Sequence, residues 1–279
     1  MPDRLFSTVL SFQGGFASDL APQVRELSFL RNAENLIYEV SGAIRKVGGS
    51  TRINSTAITG SPDVLGMYDF WLTGTGGSPT QKFMAVTADS KVYKEDMDGV
   101  FDDITGAASI GGSAYPVFAT LTDLLTIWFS DASTPLKWNQ TGNVASLGGT
   151  PPVGRVAVQH LNRMWAANTN ANASRLFFSA FGNIEDWTGA DTGSIDIDLN
   201  DGDRIIGLSS NRGRLLVFKG PNRGSIHQIS GTAPTGSDAF SRQVLVRGIA
   251  LQTHNTIVEV GDDLWFMSDR GIHSVAATE

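Results

Sequence analysis

Arg214-Leu-Leu-Val-Phe-Lys-Gly-Pro-Asn-Arg-Gly-Ser-Ile-His-Gln-Ile229 is two apolar β-type runs joined by a turn. Branched and aromatic residues stand on both sides, and Gly, Pro and Asn stand where the chain must reverse. The unit recurs at Phe83–Tyr93, Leu125–Trp138, Arg163–Ser179 and Asp263–Val275. Anchored at Met84, Ile127, Met164, Leu215 and Leu264, these hairpins return roughly every 37 to 51 residues. That is the spacing of propeller blades. A leading strand before each hairpin and a trailing strand after it, as at Gly99–Ile104, would complete a four-stranded blade. A large β-sandwich also alternates short strands with turns and is the competing architecture. The recurrence at blade spacing favours an all-β chain, a β-propeller of about five to six blades with an N-terminal arm.

Working outward, residues 1–33 differ from the rest and predict the arm. It holds the aromatic turn Phe12-Gln-Gly-Gly-Phe16 and a short helix after Pro22. Residues 34–279 predict the propeller. Within them, Asn35–Val40, a turn at Ser41-Gly42 and Ala43–Val47 form a hairpin over residues 34–54 that would supply or close a sixth blade.

Composition narrows function. The 279 residues are 41% hydrophobic, enough for a core, and 31 are glycine, which suits a chain that turns often. Only 18% are charged, below the roughly 25% usual in soluble domains. The formal net charge is −7, the wrong sign for gripping nucleic acid. With no cysteine, disulfides, thiolate nucleophiles and cysteine zinc sites are excluded. Met1-Pro-Asp-Arg-Leu-Phe-Ser lacks the pattern of a secretory signal, and no apolar run approaches the ~20 residues of a membrane span. No membrane insertion by this chain is expected.

Catalytic signatures are missing. There is no phosphate loop, no nucleophile elbow and no H-E-x-x-H zinc helix. His160, His227, His254 and His273 are scattered singly and read as strand residues. The chain is therefore expected to be no enzyme and to need no cofactor. The candidate metal ligands are Asp196, Asp198, Asn200 and Asp201, an oxygen-rich series like the start of a calcium loop. Gly202 falls one place late, and Gly207 stands where a closing Glu belongs. The other reading is a strand with Asp196 and Asp198 on its wet face, followed by a turn. Ser130-Asp131 and Ser268-Asp269 resemble the turn of the Asp-box without its Trp ending, and read as side-chain-held turns. Trp128, Trp165 and Trp265 share a place in three hairpins where an inter-blade core residue belongs. Trp138 and Trp187 read as surface contacts.

Two regions carry a family resemblance. Asn32-Ala-Glu-Asn-Leu-Ile-Tyr-Glu-Val-Ser-Gly-Ala-Ile-Arg-Lys-Val-Gly-Gly49, preceded by Phe12-Gln-Gly-Gly-Phe16, resembles the N-terminal signature of short-tailed bacteriophage tail nozzle proteins (tail tubular protein B). Arg175-Leu-Phe-Phe-Ser-Ala-Phe-Gly-Asn-Ile-Glu-Asp-Trp187, then Asp203–Leu208 and Gly213–Lys219, is similar to their central stretch. Val47-Gly48 departs from the family's Arg-Pro. The family is generally longer, so the expectation is either a short member or a C-terminal part that is missing or made by another chain.

The resemblance implies a virion structural protein in the phage tail. Its partners would be copies of itself in a ring, a hexamer in the family's manner, a tail adaptor protein above, and tail fibres or spikes. Double-stranded DNA would pass through transiently, and an acidic wall would let it slide. The alternative is a glycan-binding or glycan-cleaving, sialidase-like β-propeller, for which Arg155, Arg204, Arg214 and Arg247 would converge at the centre. A secreted adhesin is a third reading, opposed by the N-terminus.

Overall fold

The computed structural model describes residues 15–16, 29–30, 34–38, 43–49, 52, 54–72 and 79–278. The chain divides into two compact units, Met1–Ile53 and Asn54–Glu279. In the first, β1 (Gly15–Phe16) pairs in parallel with β2 (Phe29–Leu30). There β3 (Leu36–Tyr38) and β4 (Ile44–Lys46) form the antiparallel hairpin expected over residues 34–54. This hairpin belongs to the unit of the N-terminal residues and not to that of the blades. The helix expected after Pro22 lies outside the described residues.

The second unit is a five-bladed β-propeller. Blade 1 is β5 (Val64–Leu72), β6 (Thr80–Thr87), β7 (Lys91–Glu95) and β8 (Phe101–Asp103). Blade 2 is β9 (Pro116–Leu121), β10 (Leu124–Phe129), β11 (Leu136–Trp138) and β12 (Ala145–Ser146). Blade 3 is β13 (Val156–His160), β14 (Arg163–Ala167), β15 (Arg175–Phe178) and β16 (Gly193–Asp196). Blade 4 is β17 (Arg204–Asn211), β18 (Arg214–Gly220), β19 (Ser225–Ser230) and β20 (Ser241–Arg247). Blade 5 has three described strands, β21 (Val258–Val260), β22 (Asp263–Ser268) and β23 (Gly271–Ser274), and a single helical turn, α1 (Val275–Thr278). Every blade is an antiparallel meander in chain order. The five hairpins read from sequence are the second and third strands of the five blades.

First strands of consecutive blades lie against one another: β5 beside β9, β9 beside β13, β13 beside β17. They therefore line the axis. Tyr68 stacks on Phe118 at 5.3 Å and its hydroxyl meets Thr120 Oγ1 at 3.0 Å. His160 Nδ1 reaches Ser210 Oγ at 2.8 Å. At Gly66 an added Cβ would stand 2.4 Å from Pro116 Cγ, so the close approach of β5 to β9 needs a residue without a side chain. Two-residue turns close the inner hairpins of blades 2, 3 and 4. Thr122-Asp123, Leu161-Asn162 and Arg212-Gly213 all have both residues at positive φ, the type I′ geometry that matches strand twist.

Side chains alternate across each middle strand, and both faces meet a neighbour. On β10, Leu125, Ile127 and Phe129 pack toward blade 1, while Trp128 packs toward blade 3. On β14, Met164 and Ala166 face blade 2, and Trp165 and Ala167 face blade 4. On β18, Leu215 and Val217 face blade 3, and Leu216 and Phe218 face blade 5. Among the described residues four buried apolar clusters join blades 1–2, 2–3, 3–4 and 4–5, and none joins blade 5 to blade 1. At the 3–4 junction Trp165, Phe178 and Phe240 form a triangle of rings 4.9 to 5.0 Å apart.

Two tryptophans depart from expectation. Trp265, at the repeat position of Trp128 and Trp165, is 44% exposed, because the face it occupies on β22 has no blade against it. Trp138, expected at the surface, is buried against Phe70 of blade 1 and donates to the Gly142 carbonyl at 3.0 Å. Trp187 is half-buried, edge-on to Trp128.

This packing predicts a contrast in urea denaturation. Trp165→Ala should cost about 3–5 kcal/mol through the lost burial and the cavity left behind. Trp265→Ala should cost less than about 1 kcal/mol.

Candidate functional site

A concavity of the propeller lies where the inner strands of blades 2, 3 and 4 begin, beside the Gln252–Asn255 loop that precedes blade 5. It encloses about 340 Å³. Val117, Val156 and Ile206 form its apolar wall; Tyr115, Ser130, Asn168, Gln252, Thr253 and Asn255 supply polar groups; Arg155, Arg204 and His254 complete it. A second, more open concavity of about 320 Å³ lies along the same inner strands around Tyr68, Phe118, Val158 and Ser210.

Arg155 stands just ahead of β13 and ties two blades together. Its Nε donates to the Ser130 carbonyl at 3.0 Å, Nη1 to the Asn168 carbonyl at 3.0 Å, and Nη2 to Asn170 Oδ1 at 2.6 Å. All of these acceptors are neutral. Arg204 opens β17, and its side chain is exposed. Neither guanidinium has a carboxylate within 4.0 Å among the described residues. His254 lines the same cavity, and its Nδ1 is buried without a hydrogen-bond partner among the described residues. Burial drives the His254 pKa from 6.5 down to about 4, so the ring is neutral at pH 7.

Of the four arginines expected to converge, the structure brings Arg155 and Arg204 to one cavity. Arg247 turns to Asp198 at 3.2 Å, and Arg214 begins β18 at its far end from Gly220. The cavity lining includes no carboxylate, so the acid pair that glycoside hydrolysis uses is not in this wall. Sequence reasoning missed Asn168, Asn255 and His254, which come from two connecting segments with no motif of their own.

The acidic segment resolves into separate ion pairs. Asp196 ends β16 and accepts from Arg175 Nε at 2.6 Å and Nη2 at 3.0 Å. Asp198, at φ 42°, accepts from Arg242 and from Arg247, and the Arg242 guanidinium holds its carboxyl below the usual range. Asn200 sits at φ 61° in the turn. Asp201 takes both oxygens to Lys219 Nζ at 2.8 Å. Asp203 accepts backbone N–H groups of Asn222, Arg223 and Gly224 at 2.7 to 3.0 Å. The segment is thus a strand end and a turn whose carboxylates are held by cations and backbone N–H groups. Among the described residues no three acidic, His or Cys side chains gather as metal ligands do.

Lys219 is the centre of this clamp. It is fully buried, and Nζ also donates to the carbonyls of Ile197 and Asp198 at 2.7 Å each. Beside it His227 is fully buried, with Nε2 2.8 Å from Ser225 Oγ and 3.8 Å from Asp198. Burial is the main cause that lowers the His227 pKa to about 4, against the opposing pull of Asp198.

No protein-family model matches the sequence, and no curated protein is similar to it. Among solved structures, virginiamycin B lyase from Staphylococcus aureus is similar over 75% of this chain and 73% of its own, at 14% identity and a TM-score of 0.45. A chain of the nidogen–laminin complex is similar over 71% of this chain and 73% of its own, at 13% identity and a TM-score of 0.44. These likenesses concern the fold alone.

Two predictions test the clamp. Lys219→Met should lower stability by about 3 kcal/mol in urea titration, because two carbonyls and a carboxylate lose their donor. His227 predicts acid sensitivity: its folded pKa of about 4 lies below the ordinary 6.5. The unfolded chain then takes up a proton that the folded chain refuses. Stability is full above pH 6.5 and falls as pH drops toward 4, by up to roughly 3 kcal/mol for this group. His227→Gln should flatten that limb of the urea midpoint against pH.

Proposed function

We propose that this chain is a non-catalytic structural subunit of a short-tailed phage tail nozzle, assembling as a closed ring through which the double-stranded genome leaves. The observation that carries the reading is a pair of unlike apolar faces left uncovered on the first and last blades. On blade 5, Val258, Val260, Trp265, Met267 and Ile272 are 44% to 72% exposed. On blade 1, Met67 and Trp71 are each 51% exposed, on the side of β5 away from blade 2. A cyclic ring uses a heterologous contact, in which one face of a copy meets a different face of the next, and two such faces meet that need. Isolated surface apolars need no account, but an apolar set along one sheet face marks an interaction surface.

Charge supports the same reading. At −7 the subunit repels phosphate, which suits a conduit that DNA crosses without sticking. A tail adaptor above, and fibres or spikes around, are the partners this reading brings, with the virion tail as the location.

The test is assembly. Electron microscopy of the purified chain mixed with tails should show six copies in a ring on the tail axis. A monomer at high concentration that leaves tails unlabelled would defeat the reading. Trp265→Glu should abolish ring formation with an unchanged thermal midpoint; rings that persist in this variant would remove blade 5 from the contact.

A further inference from the structure

We propose that the axial cavity is a binding site for a small organic anion bearing one carboxylate or phosphate group, with Arg204 and Arg155 as its cationic contacts. The inference is independent of the ring reading and rests on the cavity alone.

Elsewhere in the propeller many cations, several of them half-buried or buried, meet carboxylates. Lys82, Lys94, Lys137, Arg163, Arg175, Lys219 and Arg242 are each paired with an Asp or Glu at 4 Å or closer. Arg155 breaks that pattern. It is partly buried and held rigid, but by two carbonyls and an amide oxygen, so its charge is positioned and not neutralised. Among the described residues only one of the two N–H bonds on Nη2 is used, which leaves a donor for a ligand. The Arg204 side chain, on the same wall, makes no hydrogen bond or ion pair among the described residues. A cation oriented in advance and a second free to close are what a bidentate oxyanion contact requires.

The rest of the wall fits a small organic molecule. About 340 Å³ falls at the lower end of the range for small-molecule sites. Asn168, Asn255, Ser130, Gln252 and Thr253 offer neutral polar groups, Tyr115 stands at 55% exposure on the rim, and Val117, Val156 and Ile206 form the apolar part. His254, neutral at pH 7, adds no charge of its own. Nothing on this wall is acidic, so an anion entering it meets no opposing carboxylate.

The experiment uses the full chain in a phosphate-free buffer, titrated by calorimetry with benzoate, phenyl phosphate or benzyl alcohol. Benzyl alcohol shares the ring and lacks the charge. Saturable binding of benzoate, phenyl phosphate or both is expected, with none for the alcohol. The arm that binds tells carboxylate from phosphate. Arg204→Gln should weaken binding roughly tenfold or more while the fold persists, since that side chain is exposed and unbonded. Arg270→Gln, an exposed arginine outside the cavity, should leave affinity unchanged. Amide chemical-shift changes should centre on Asn168 and Asn255. The proposal is overturned if neither anion binds up to about 10 mM, if the alcohol binds as well, or if Arg204→Gln changes nothing.

Discussion

A middle strand that is apolar on both sides needs a neighbour on both sides, and the rest of this propeller is a consequence of meeting that need. The side-chain period of two sends alternate residues of β10, β14 and β18 to opposite faces. All of these residues except Leu124 and Arg214 at the strand starts are buried. No blade could exist alone: its second and third strands would expose two apolar surfaces to water at roughly 25 cal/mol per Å². Stacking the blades around an axis resolves this for every interior junction. The inner strands must then crowd together, which accounts for the bare backbone at Gly66 and for the tight positive-φ turns that join inner to middle strands.

The same constraint defines where the solution is incomplete. Blade 5 packs Leu264 and Phe266 onto blade 4, and its other face carries Trp265 and Met267 in the open. The chemistry of that face is the chemistry of a junction, not of a solvated surface. Polar side chains do the parallel work at the outer ends of blades. Lys219 and Asp203 fasten the turns at 197–203 and 222–224, so the connection between blades 3 and 4 is fixed by ionic and backbone contacts where apolar area runs out.

Much of the architecture was legible because it is local. Branched and aromatic runs around a turn are contiguous in sequence, and their recurrence gave the blades. Trp128 and Trp165 were placed correctly by repeat position. Trp265 was not, since its burial depends on whether another blade comes after the last repeat, and a repeat position carries no information on that. Inner hairpin turns were silent for a different reason: Thr122-Asp123 and Leu161-Asn162 lack the Asn-Gly signature, and tertiary packing imposes the positive φ there. In the acidic segment the sequence displayed four oxygen-bearing side chains in a row. The cations that claim its aspartates, Arg175, Lys219, Arg242 and Arg247, lie 18 to 49 residues away and join only on folding. The cavity was half legible: two of its arginines were candidates for convergence, but the asparagines and His254 that complete it sit on unmarked loops.

Net charge and local charge point in opposite directions in this molecule, and the physics reconciles them. Pairing withdraws most half-buried cations from the outward field, so the acidic balance of −7 dominates at a distance. Arg155 escapes that cancellation because its partners are neutral dipoles, which orient a guanidinium without discharging it. At physiological salt, fields decay over about 8 Å, so the acidic exterior repels a long polyanion along its whole length. A small anion inside the cavity instead feels mainly the two nearby guanidinium groups. A net acidic subunit and a cationic pocket for a small anion are therefore compatible in one fold. The separation depends on distance and screening, not on any difference in the kind of charge.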